Sequence, residues 1–120
     1  MAIHYHLAKV FERTNSDDFL VKKEITAFIT EVPPKMKLLL LNIKSKEYQT
    51  ALFYAQKIKP ALELMGMTIA YDEMLLVENW ANSKAKRREI EATVQSIKNQ
   101  VEQAVKEMNK EYKIFESLKI

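Results

Sequence analysis

Ala55-Gln56-Lys57-Ile58-Lys59-Pro60-Ala61-Leu62-Glu63-Leu64-Met65-Gly66 is the stretch on which the reading of this sequence turns. It holds the only glycine of the chain, a proline inside an otherwise helical pattern, and a glutamine on what should be the solvent side. Ala55, Ile58, Leu62 and Met65 recur at spacings of three and four, the period of a helix with one buried face. Tyr48, Ala51 and Leu52 extend the seam backward. The spacing therefore predicts a helix over residues 46–65, capped by Ser45 and ended by Gly66 in the left-handed conformation.

Working outward, the same period predicts further helices and no strands. A short one covers His6 to Arg13. Ser16 serves as N-cap for a helix over 17–32, whose apolar face is Val21, Ile25, Phe28, Ile29 and Val32. Pro33-Pro34 should stop it, because proline lacks a backbone donor and crowds the preceding turn. Pro34 can then open a helix over 34–44 with Met36, Leu40 and Ile43 inward. Thr68 caps a helix over 68–82 that contains Met74, Leu75 and Trp80. The last helix runs from about Lys84 to Tyr112, with Ile90, Val94, Ile97, Val101, Ala104, Met108 and Tyr112 in a heptad-like rhythm. That rhythm fits bundle packing or, alternatively, a coiled-coil dimer.

The totals agree with a single all-α domain over residues 1–120. Of 120 residues, 48% are apolar and 29% charged, enough for one packed core. One glycine and three prolines leave few tight turns for hairpins. The absence of cysteine excludes disulfides and thiolate chemistry. The longest aliphatic run, Leu38-Leu39-Leu40-Leu41, is far too short to span a bilayer, so the expected compartment is the cytoplasm. A net charge of +3 is too mild to mark a nucleic-acid binder. No membrane association, metal or cofactor is expected.

At about 100° per residue, Gln56 lies well over a quarter turn from the centre of the apolar seam. Phe53 and Pro60 point almost directly outward, with Gln49 nearby and Lys59 and Glu63 at the edge. An outward Phe53 beside charge is either a partner-binding residue or a stray exposed apolar side chain. The four consecutive leucines pose a related choice. At least one of them must face away from the core, unless neighbouring helices cover all four.

This pattern resembles the histidine-containing phosphotransfer (HPt) domain of bacterial phosphorelays. In that family an exposed His on a bundle helix is followed at the third position by Lys, at the fourth by a small residue and at the tenth by Gly. Here the matching positions hold Gln56, Lys59, Pro60 and Gly66. Asp17-Asp18-Phe19-Leu20 and the Val32-Pro33-Pro34 break resemble the opening helices of such domains. Glu78 falls where members carry an acidic or amide side chain facing the site. The resemblance spans roughly residues 7–112. It implies an antiparallel up-and-down four-helix bundle made of helices 17–32, 46–65, 68–82 and 84–112, with 34–44 as a shorter packing helix. The apolar pattern alone also permits a bundle of the helices starting near Asp17, Pro34, Lys46 and Ala85, with the Thr68 helix inserted.

Two departures bear on chemistry. The amide nitrogen of Gln56 has its lone pair delocalised into the carbonyl, so it cannot attack an aspartyl-phosphate as an imidazole does. No catalytic residue and no enzyme activity are therefore expected. Pro60 lacks the N–H that would bond the Gln56 carbonyl, so either a kink or a fresh helix start is expected there. What the resemblance leaves is a docking face for the receiver domain of a response regulator or hybrid kinase, whose aspartates bind Mg²⁺. Lys59 would meet those aspartates as a flexible point charge. Phe53, Leu38 and Leu41, with Phe19 or Leu20, would supply apolar contact, and the protein would act as a monomer. The alternatives are a helical adaptor or coiled-coil dimer unrelated to phosphorelay, and an active phosphotransfer protein using His6.

Other clusters read as structural. His4 and His6 lie in a terminal segment without carboxylate or thiolate company. Asp72, Glu73 and Glu78 read as a solvated face. Lys84, Lys86, Arg87 and Arg88 form a basic knot at the positive end of the last helix, where they are locally unfavourable.

Overall fold

In a computed structural model, described here for residues 4–114, the chain is all-helical. No strand occurs among the described residues. The helices are α1 (Ala8–Thr14), α2 (Asp18–Lys44), α3 (Tyr48–Leu64), α4 (Thr68–Ser83) and α5 (Glu91–Tyr112), with a 3-10 turn at Arg87–Glu89 before α5. α2 packs on α3, α3 on α4, α4 on α5, and α5 returns to α2, so the four long helices close a ring around one core. α1 lies against α2. No helix among the described residues is long and apolar enough to cross a membrane.

The chief correction concerns the proline pair. Pro33 and Pro34 lie inside α2, which runs unbroken for 27 residues. Helices 17–32 and 34–44 are one helix. Val21, Ile25, Phe28, Ile29, Val32, Met36, Leu39 and Ile43 form one buried seam along it. The continuous helix carries its phase across the prolines, and this buries Leu39 completely and leaves Leu40 only partly covered. A restart at Pro34 with Leu40 inward is therefore not what forms. Pro60 likewise lies within α3, which continues to Leu64.

The seams of α3, α4 and α5 meet inside the ring. Ala51, Ala55, Ile58 and Leu62 of α3 and Met74 and Val77 of α4 are wholly buried. From α5, Val94, Ile97, Val101, Ala104 and Met108 are buried within the same core. The heptad-like face is therefore occupied by the chain's own helices. Trp80 closes one end. Its Nε1–H donates to the Lys86 carbonyl at 2.9 Å, and its ring lies 4.9 Å from that of Tyr48. The Tyr48 hydroxyl donates to the Ala85 carbonyl at 2.9 Å, which holds the link to α5 in place.

The caps depart from expectation in detail. Asp17, not Ser16, caps α2 by accepting from the Leu20 N–H at 3.0 Å. Ser45 ends α2 instead of starting α3, whose N-cap is Glu47. Thr68 is the first residue of α4, after Met67. Both helix ends beside α3 are closed by paired main-chain bonds around a left-handed residue. At the α3 end, Met67 N–H donates to the Leu62 carbonyl and Gly66 N–H to that of Glu63. At the α2 end, Glu47 N–H donates to the Asn42 carbonyl and Lys46 N–H to that of Ile43. Gly66 adopts φ +63° as expected, whereas Lys46 bears φ +56° with a side chain attached.

A second constraint acts on Gly66. The main-chain N–H of His6 donates to the Met65 carbonyl at 2.7 Å, drawing the N-terminal segment over the α3–α4 turn. A Cβ at Gly66 would stand 2.8 Å from both the His6 Cβ and the His6 carbonyl oxygen. Gly66→Ala should destabilise the protein by about 2 kcal/mol, from left-handed strain plus that clash. Lys46→Gly, which removes strain in open solvent, should stabilise it by about 0.5 kcal/mol. Urea unfolding of the two variants checks the opposite signs.

Candidate functional site

The local sequence of α3 fixes which side chains reach solvent. With Ala51, Ala55, Ile58 and Leu62 buried, Gln49, Phe53, Gln56 and Pro60 must emerge on the far side, and all four are exposed. Phe53 keeps half of its surface in water. Its ring meets Tyr54 edge-on at 5.2 Å, and the Lys57 ammonium lies 5.3 Å from its centroid. Pro60 carries no N–H, so the Gln56 carbonyl lacks its usual helical donor four residues on. Gln56 thus presents a side-chain amide and a main-chain acceptor on one exposed turn.

Lys59 is placed differently from the free point charge expected. Its Nζ donates to Glu78 Oε1 of α4 at 2.7 Å, with side-chain exposures of only 24% and 13%. The ammonium also lies 5.8 Å from the Tyr71 ring. Tyr71 and Glu78 are seven residues apart, hence on one line of α4, and Lys59 contacts both. The hydrogen bond to Glu78 raises the Lys59 pKa above its usual 10.5 and outweighs burial, which pulls the other way. Glu63 is more loosely held. It pairs with Lys9 of α1 at 3.2 Å with both side chains more than half exposed, a contact worth little in water.

The leucine run divides. Leu38 and Leu41 are exposed, as one of the two readings required. Leu41 lies beside Arg87 and Val94 at the junction of α2 and α5, away from α3. Phe19 is three-quarters exposed near the start of α2, and Leu20 is less so. Leu41 is therefore not gathered with Gln56.

The acidic residues of α4 are not a uniform solvated face. Glu73 accepts from Ser96 and Gln100 of α5, and Glu78 holds Lys59, so both tie neighbouring helices together. Asp72 alone is plainly exposed. The basic knot lies in the turn before α5, which itself begins at Glu91. Glu89 accepts from the Lys86 N–H at 2.9 Å and Arg87 pairs with Glu91 at 2.8 Å, which relieves the repulsion expected there.

His4, expected to lack carboxylate company, instead bonds to the Glu107 carboxylate through both its main-chain N–H and its ring Nδ1, because the N-terminal segment packs against α5. His6 is exposed and accepts at Nδ1 from the Ala8 N–H. It sits at Gly66, roughly 15 Å along α3 from Gln56. No group of three His, Cys, Asp or Glu residues that could hold a metal occurs among the described residues. Every buried side-chain nitrogen and oxygen among them has a partner. Comparison with known proteins returns no matching family model, no matching curated protein and no matching solved structure.

Glu78→Gln should cost about 1–2 kcal/mol, between the values for exposed and fully buried pairs. The sign with pH follows from the raised Lys59 pKa. The stabilisation is complete below the unfolded lysine value of 10.5 and is lost as pH rises through the higher folded value. The gap between wild type and Glu78→Gln in urea titrations should therefore persist at neutral pH and close in strong alkali.

Proposed function

We propose that this protein is an HPt-like phosphorelay module of the cytoplasm that binds receiver domains and does not carry phosphate itself. One observation carries the reading: an amide, Gln56, stands exposed on a core helix at the place where a phosphoacceptor would need an imidazole. Lys59 three residues on, the proline at the fourth position and the left-handed Gly66 at the tenth support it. The ring of α2, α3, α4 and α5 suits an antiparallel up-and-down bundle, since only residues 45–47 and 65–67 separate α2 from α3 and α3 from α4.

The docking face would centre on Phe53, Gln56, Lys59 and Pro60, with Glu63 at its edge. Because α2 folds back onto α3 through residues 45–47, Leu38 and Phe53 stand at about the same height, seven or eight residues from Lys46. Leu38 would extend the apolar contact from α2, and Leu41 would touch only its outer margin. The aspartates of a receiver would compete with Glu78 for Lys59, exchanging one carboxylate for several. An interface of this modest size implies micromolar affinity, on the order of −8 kcal/mol. The protein acts as a monomer in this reading, because the α5 seam is already covered.

Incubation with a phosphorylated receiver carrying labelled phosphate should leave no stable label on the wild type, whereas Gln56→His should acquire it. Stable label on the natural protein would overturn the loss of chemistry. Titration of receiver domains, watched by NMR at residues 49–63, should give saturable shifts. Phe53→Ala should weaken the binding about tenfold, or roughly 1.4 kcal/mol. Failure of every receiver tested to perturb those residues would remove the docking reading.

A further inference from the structure

A second surface lies on the other flank of α2, independent of Gln56. Where α2 meets α5, two adjoining clefts of about 420 Å³ and 220 Å³ share Lys37, Leu40 and Lys98, so they form one groove. Its floor is apolar. Leu40, Ile43 and Val94 line the wider part, and Pro33, Met36 and Val101 the narrower. The half-exposed Leu41 adds an apolar lip.

The banks are charged, and the two signs do not balance. Lys37 and Lys44 stand on the α2 bank, and Arg87 and Lys98 on the α5 bank. Arg87 is paired with Glu91 at 2.8 Å and Lys98 with Glu102 at 3.3 Å, all on the α5 side. Among the described residues these are the carboxylates lining the groove, so two positive charges there are in excess, on the exposed Lys37 and Lys44. From Pro33 to Lys44 the groove follows eleven residue steps of α2, roughly 16 Å, or about three turns of a helix lying alongside.

We infer that the α2–α5 groove binds an acidic amphipathic helix contributed by a partner protein. An apolar stripe at helical spacing fills the floor, and Asp or Glu beside the stripe meets Lys37 and Lys44. The shape and charge disfavour two other occupants. A symmetric contact between two copies would bring together the excess lysines of both, four positive charges with no excess carboxylate at the groove to meet them. A bilayer is flat and suits apolar side chains that protrude, whereas this floor is recessed between two charged banks.

The test uses the full-length protein and fluorescent, helix-stapled peptides of about twelve residues, a length matched to the groove. Each carries leucines at helical spacing, flanked by Glu in one panel and by Lys in a matched panel. Glu-flanked peptides should bind saturably in the micromolar range and at least tenfold more tightly than their Lys counterparts. NMR shifts should fall on residues 33–44 and 87–101. The double variant Lys37→Glu/Lys44→Glu alters only exposed side chains and should retain the fold by circular dichroism. It should lose the Glu peptides by at least tenfold and gain affinity for the Lys peptides. The inference is overturned if no acidic peptide saturates, if both panels bind alike, or if the shifts fall on residues 49–63. Binding to phosphatidylserine vesicles without peptide binding would assign the face to membranes. A dimer in sedimentation that the same charge reversal dissolves would assign it to a second copy. Either result overturns the partner helix while leaving the receiver reading to its own assay.

Discussion

Burial of one apolar seam along α2, from Val21 through Val32 and Leu39 to Ile43, is the constraint on which the rest of the molecule depends. Two prolines interrupt its hydrogen bonding. They remove the donors that would meet the carbonyls of Ile29 and Thr30, and each proline inside a helix costs about 3 kcal/mol. Against this stand Met36, Leu39 and Ile43, which the unbroken helix buries in the same seam as Val21 to Val32. Each is worth about 1.5–3 kcal/mol when fully buried. With the neighbouring half-buried Leu40 and the nucleation cost of a separate short helix, packing wins. Because α2 does not break, residues 34–44 lengthen it instead of forming a separate short helix, and α5 has a full-length neighbour against which to close the ring.

Polar contacts are then placed at the seams between helices. Lys59 and Glu78 link α3 to α4, and Glu73 with Ser96 and Gln100 links α4 to α5. Such contacts add little net energy but penalise slippage, since a helix shifted by one turn would leave a half-buried carboxylate without its partner. Lys59 illustrates a double use of one residue. In the free protein it fixes the register of two helices, and its ammonium remains beside the exposed turn that holds Gln56.

Much of this was legible in the sequence, and for identifiable reasons. The seams of α3 and α5 follow from spacing alone, because their apolar residues are separated cleanly from charged ones. Gly66 was legible as a left-handed terminator because glycine marks such positions. Counting showed that at least one of the four consecutive leucines must face away unless neighbouring helices cover them all, and Leu38 and Leu41 are the two that do. The proline pair misled because its local cost is large and visible, while the burial that outweighs it comes from helices distant in sequence. Lys46 hid a left-handed turn because lysine is a poor marker for one. The Lys59–Glu78 pair, the groove between α2 and α5, and the His6 contact with Gly66 depend on relative helix placement. Nothing in local periodicity encodes that, although the resemblance set Glu78 among the residues facing the site.

The unbroken α2 also has a mechanical consequence. Leu38 and Leu40 lie two residues apart and so face about 200° from one another around a single rod some 40 Å long. Leu40 lines the cleft beside α5 and Leu38 does not, so the two mark opposite shoulders of α2. A small roll of that rod which seats one shoulder more deeply lifts the opposite one outward. A ligand that rolled the rod on gripping one flank would therefore shift the other, and the free energy of such a coupling would be the same in both directions.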